Sequence, residues 1–221
     1  MSLWRLPGEW DDYEWFRLAD LPAPRIVSAQ VTTDGDDAGA AMGRWLVRRL
    51  TAEPLWADTQ AHRVLLVALD NLRATPVRLR ARLAVVVHLA RESDDCAFAG
   101  QAGAVRRSKP WLAEFADQAQ AVPDGSDLAD HALLDHAAGV KANPVQFLIV
   151  SNDGIFAKLA DRGPLALLSP GADAMSDRLH DVAHHVLDLT ALEKQAASER
   201  AKAQRSARRR RAPAAQAVLG R

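Results

Sequence analysis

The sequence predicts an α/β fold, a three-layer α/β/α arrangement around a mostly parallel central sheet. Two observations carry this expectation. From about residue 62 to residue 190, short apolar runs alternate with helical stretches. The runs themselves, such as "RVLLVAL", "VQFLIV" and "PLALLS", are nearly continuous in apolar residues. Parallel-sheet strands read this way because they are buried on both faces. At 221 residues the chain is long enough for one substantial domain with extensions.

Taken in order, residues 1–61 read as an N-terminal extension. It holds Trp4, Trp10, Trp15, Trp45 and Trp56, five of the six tryptophans. Large aromatics near a terminus pin that segment to a body, and a surface for a protein partner is the alternative. Within it "PRIVSAQVT" reads as a strand. "DDAGAAMGRWLVRRL" reads as a helix, with acids in its first turn and arginines in its last. "RVLLVALDNL" is a strand closed by polar residues. The helix "TPVRLRARLAVVVHLARES" opens on Thr75 as N-cap and Pro76 at its first position. "DCAFAG" is a strand, and "AVRRSKPWLAEFADQA" a helix interrupted near Pro110. "AQAVPDG" is a strand and turn, and "SDLADHALLDHAAGV" a helix opening with Ser126 and Asp127. "VQFLIVS", "PLALLSPG" and "HHVLDL" are strands, separated by the helices "GIFAKLADRG" and "AMSDRLHDVA". Residues 191–221 are expected to form a basic tail, helical or disordered.

The formal net charge is zero, but it is unevenly placed. Residues 191–221 carry nine Lys or Arg against two Glu, and the rest of the chain has the opposite surplus of seven. A basic tail on an acidic body suits contact with a polyanion, and equally a solvated tail. Cys96 is the only cysteine, so neither an intramolecular disulfide nor a cysteine zinc cluster can form. A reducing, cytoplasmic setting is expected. No signal peptide and no stretch long enough to cross a bilayer is legible. Oligomeric state is not readable.

In folds of this kind, sites form outside the carboxyl ends of the strands. Three groups of acids are expected there. Asp70, followed by Asn71, closes the first strand of the body. Asp127 and Asp130, three apart, share a helical face. Asp153 ends the strand "VQFLIVS". Hard divalent cations take oxygen ligands, and carboxylates gathered at one edge repel one another unless a cation relieves them. Such an ion also supports displacement at a phosphodiester. Singly, each acid has a plainer reading: Asp127 as a helix cap, Asp153 as a turn residue before Gly154. Three of them at successive places in one α/β order favour a metal site. Other chemistries lack their motifs, since there is no H-E-x-x-H and Ser151 has no G-x-S-x-G elbow.

From about residue 63 to 190 the chain resembles the NYN family of PIN-like nucleases. That family typically reads SGDxDF, a helix, a glycine and an apolar strand. Here "SNDGIF" sets Ser151, Asp153 and Phe156 in register, followed by Gly163 and "PLALLSPG". "DGSDLADHALLD" is similar to the family's helix motif, with Asp127 and Asp130 both candidates for its acid. The resemblance implies a PIN-like domain over 62–190 and a Mg²⁺- or Mn²⁺-dependent ribonuclease, an endonuclease acting on RNA. Asp70, Asp130 and Asp153 would hold the metal, with Asp127 as alternate. Asn71 and Ser151 would orient substrate or water, and Arg73, Arg106, Arg107 and the tail from Arg200 to Arg211 would contact phosphates. Two departures stand out. The second acid of SGDxDF falls on Ile155, and the first-strand D-x-x-N pattern puts Ala68 at the position of the family Asp. Strand alternation would turn residues 68 and 70 the same way, making Asp70 a substitute. Ala68 leaves open an introduced inactivating change and a naturally degenerate site kept for binding RNA or protein. A receiver-like domain also clusters acids at strand ends, but it wants a Lys where this chain offers Ser169.

Overall fold

A computed structural model describes residues 33–218, apart from 126, 172 and 173, with side chains from residue 38 to 206. The expected strand "PRIVSAQVT" and Trp4, Trp10 and Trp15 lie outside the described residues. Six strands form the sheet: β1 (His62–Ala68), β2 (Asp95–Gln101), β3 (Ala119–Val122), β4 (Val145–Val150), β5 (Leu165–Ser169) and β6 (His185–Asp188). Their order is β3-β2-β1-β4-β5-β6, and every pairing is parallel. The helices are α1 (Thr33–Leu50), α2 (Pro76–Arg91), α3 (Ala102–Ser108), α4 (Leu128–Gly139), α5 (Asp177–Val182) and α6 (Leu189–Val218). Short 3-10 segments cover Leu69–Leu72, Lys109–Trp111, Ala113–Gln118 and Gly154–Asp161.

Strand alternation divides the core in two. Leu65, Val67, Leu148, Val150, Ala166 and Leu168 pack under α1, α2, α3 and α6. Val64, Leu66, Ala68, Phe147, Ile149, Leu165 and Leu167 pack under α4, the Gly154–Asp161 segment and α5. The apolar runs of the central strands are therefore continuous because each face has its own helical layer. The first of these cores also takes in Leu46, Leu50 and Leu55, with Trp45 and Trp56 packed against it. So α1 and the segment after it are built into the layer that α2 and α6 complete.

The break near Pro110 is real: α3 stops at Ser108 and the Lys109–Trp111 turn takes Pro110 near its start. Two glycines are fixed by close approach. At Gly163 a Cβ would collide with the carbonyl oxygen of Val145, so only glycine lets the chain pass β4 on its way to β5. At Gly100 a Cβ would stand 3.0 Å from Leu69 Cβ and 3.3 Å from Asp70 Oδ2, so β2 and the turn after β1 touch only because this side chain is missing. Among the described residues no helix is long and apolar enough to cross a membrane.

Candidate functional site

The strand order reverses between β1 and β4, and in open parallel sheets a crevice forms at the carboxyl end of that reversal. The loops that border it are tied together by short polar side chains. Asn71, in the turn after β1, donates from Nδ2 to Ser151 Oγ at 2.8 Å. Ser151 is fully buried at the end of β4, and its Oγ also accepts the Asp153 N–H at 3.1 Å. Asp153 Oδ1 then accepts the Ile155 N–H at 2.8 Å and caps the Gly154–Asp161 segment. Asn152 reaches the other way. Its Nδ2 donates to the Gly171 carbonyl at 2.8 Å, and its Oδ1 accepts from Ser169 Oγ at 2.7 Å. The ends of β1, β4 and β5 are thus one hydrogen-bonded edge.

Three acids meet at this edge. Asp127 precedes α4 with φ 63° and ψ 0°, a left-handed conformation that costs an ordinary L-residue about 1–2 kcal/mol and that Asp tolerates better than most. It makes no side-chain cap bond, so the plain reading of it as a helix cap does not describe its carboxylate. Asp130 lies one turn along the same helix, and Asp153 comes from β4. One carboxylate oxygen from each of the three lies within 4.8 Å of the others. Asp127 is exposed, Asp153 half-buried and Asp130 buried. Asp130 Oδ1 is buried with no hydrogen-bond partner. Its pKa is pushed up to about 7, first by burial and then by the charges of Asp153, Asp127 and Asp70. An orphaned oxygen among like charges matches the donor set of a hard divalent cation, which supplies the missing charge and takes oxygen ligands. An ion such as Mg²⁺ or Mn²⁺ would be held by Asp127, Asp130 and Asp153.

This group differs from the expected one in one member. Asp70 lies outside it and Asp127 inside it. The reason is local. β1 ends at Ala68, and residues 69–72 form a 3-10 turn, so the alternation of a strand does not run from 68 to 70. Ala68 faces the core layer under α4, whereas Asp70 turns toward β2 and its Oδ2 accepts the Gln101 N–H at 2.9 Å. Asp70 Oδ1 remains buried without a partner, and its charge still reaches Asp130.

A cleft of about 740 Å³ opens beside Asp153, lined by Asp70, Asn71, Arg73 and Asn152 among others. Arg106 and Arg107 are exposed on α3 and do not line it. Another part of the lining was not foreseen. Arg78 and Arg82 of α2 meet Glu193 of α6, which is 3 % exposed. Arg78 Nε donates to Glu193 Oε2 at 2.6 Å and Arg82 Nε to Oε1 at 2.7 Å. Arg82 Nη2 also donates to the Pro170 carbonyl at 3.0 Å and to Thr190 Oγ1 at 3.1 Å. The sequence did carry a signal: an Arg pair at i, i+4 beside the run "LAVVV", and one of only two acids in a basic segment. Asp188, whose Oδ1 accepts the Thr190 N–H at 2.7 Å and starts α6, was also missed.

No protein-family model matches the chain, and no curated protein matches it significantly.

Proposed function

We propose that this chain is a divalent-metal-dependent phosphodiesterase acting on RNA, an endoribonuclease of the NYN type. One observation carries the reading: three carboxylates within 4.8 Å at the reversal point of a parallel sheet, one of them with a buried, unpartnered oxygen. The ordered resemblance of "SNDGIF" and "DGSDLADHALLD" to that family's motifs supports RNA as the substrate class. When bound, Mg²⁺ or Mn²⁺ would polarise a phosphoryl oxygen and lower the pKa of water.

The chain's own residues do the rest. Asp127, Asp130 and Asp153 hold the ion. Asp130, whose pKa is pushed up to about 7, would have to be deprotonated to act as a ligand, so ion binding would strengthen as pH rises. Ser151 and Asn71 fix the backbone of Asp153, which keeps its carboxylate in place. Arg73 meets substrate phosphate at the cleft edge, and the basic segment from Arg200 to Arg211 adds affinity that falls with salt. Ala68 sits on the face covered by α4, the helix that carries Asp130, so an acid at 68 would join the group from the sheet side.

The test is RNA cleavage with Mn²⁺ by the chain, by Ala68→Asp, and by Ala68→Asp combined with Asp153→Asn. Ala68→Asp should cleave faster than the parent, and adding Asp153→Asn should abolish the gain. An Ala68→Asp protein that is inert on varied RNA and binds no Mn²⁺ overturns the reading. Ala68 itself favours a second reading, a degenerate module that binds RNA without cutting it. Salt-dependent RNA binding with no cleavage by any variant would select that one.

A further inference from the structure

The cleft lining mixes carboxylates with guanidinium groups, Asp70 and Asp153 with Arg73, Arg78 and Arg82, and a metal site accounts only for the acids. Among the described residues, Arg78 and Arg82 both pair with one carboxylate, Glu193. A clamp between α2 and α6 needs one arginine. Here Arg82 is buried against Glu193, whereas the Arg78 side chain is 38 % exposed and lines the cleft, so its charge is open to a ligand there. The hydrogen bonds also divide unevenly. Both arginines spend Nε and Nη2 on Glu193, Thr190 Oγ1 and, for Arg82, the Pro170 carbonyl. Nη1 of each takes no part in that network. Arg73, exposed after the turn that follows β1, adds a further cation to the lining. A guanidinium held in place by a buried carboxylate and still partly exposed to the cleft, as Arg78 is, suits a tetrahedral oxyanion.

We propose that Arg73 and Arg78, with Arg82 holding Glu193 in place behind them, form a phosphate subsite that holds a second phosphodiester of a single-stranded RNA. The neighbouring phosphate lies at the group of Asp127, Asp130 and Asp153. The inference rests on the function proposed above for the choice of RNA. It deepens that function by making the substrate a polynucleotide with two engaged phosphates, not a mononucleotide or a small diester. The 740 Å³ of the cleft lies within the range of about 300–1,000 Å³ typical of sites that enclose a ligand of nucleotide size.

The test is binding of a fluorescein-labelled single-stranded decauridylate, followed by anisotropy in EDTA across a salt series. The proteins are the full chain, Arg73→Gln, Arg78→Gln and the double variant. Arg73 lies outside the Glu193 network, so its variant keeps the question answerable if Arg78→Gln unfolds. Each variant should bind about tenfold more weakly at low salt, the loss expected for one charge-assisted contact. The log–log salt slope should flatten by about 0.7 for each lost contact. Inorganic pyrophosphate should compete with the RNA on the parent chain and not on the double variant. Unchanged affinity and slope in Arg73→Gln and in a folded Arg78→Gln overturn the subsite, whether or not the chain cleaves RNA. Weakened binding by a chain that never cleaves keeps the subsite and removes the nuclease reading.

Discussion

Replacing Asp130 by Asn should make the metal-free protein more stable at pH 8, although a buried residue is being changed. The folded-state pKa of Asp130 is raised from 3.8 to about 7, by burial first and by Asp153, Asp127 and Asp70 after it. Between those two values the folded protein binds more protons than the unfolded chain, so stability falls as pH climbs through the window. Taken over the whole window, the rise is worth about 4 kcal/mol, to order of magnitude. Asn keeps the shape and removes the charge. Its new amide hydrogens find acceptors in the carboxylates of Asp127 and Asp153, and any left unmatched costs about 1–3 kcal/mol. The net gain is then about 1–3 kcal/mol, and each kcal/mol moves Tm by about 2–4 °C in a domain of this size.

The assay is thermal unfolding at pH 5 and pH 8, in EDTA and in Mn²⁺. In EDTA the variant should lead by several degrees at pH 8, and its lead should shrink at pH 5. In Mn²⁺ the order should reverse, because an ion at a hundred times its Kd stabilises the parent by about 2.7 kcal/mol and the variant has lost a ligand. A variant less stable than the parent in EDTA at pH 8, or equal Mn²⁺ shifts for both proteins, would refute the argument that Asp130 is held under charge repulsion awaiting a cation.

Two further outcomes follow, one at each end of β4. Ser151→Ala removes the acceptor for Asn71 Nδ2 and for the Asp153 N–H, so it should cost about 1–3 kcal/mol in urea unfolding and weaken Mn²⁺ binding measured by calorimetry. Gly163→Ala drives a methyl group into the Val145 carbonyl, so it should destabilise by more than about 2 kcal/mol, read as a lower urea midpoint with an unchanged m-value.

The layers of the fold were legible because apolar runs and helical stretches alternate at lengths that only a parallel sheet satisfies. The acids were legible as residues at strand ends, but their grouping was not. Asp70 and Asp153 look alike in sequence, each following an apolar strand. One enters a 3-10 turn that bends it toward β2, and the other is locked by Ser151 at the edge of the crevice. No local pattern tells these apart, since the difference lies in what the next strand offers. Asp127 was weighed as a helix cap because Asp is common there, yet its left-handed backbone takes the carboxylate off the helix end. The arginine lining needed contact between residues 78 and 193, and pairing across that separation leaves no trace in one sequence.

Helix α6 is fixed at two heights. Glu193 is clamped by α2, and Glu199 Oε2 accepts the Trp45 indole N–H at 2.8 Å. Beyond Ala201 the described side chains are exposed, and the helix continues to Val218. A helix rises about 1.5 Å and turns about 100° per residue, so its outer part is a spar whose azimuth is set at its root. Adding four residues near position 203 would advance the spar by about 6 Å and rotate it by only about 40°, whereas adding two would turn it through about 200°. The bearing of the outer helix is therefore a property of the body it grows from.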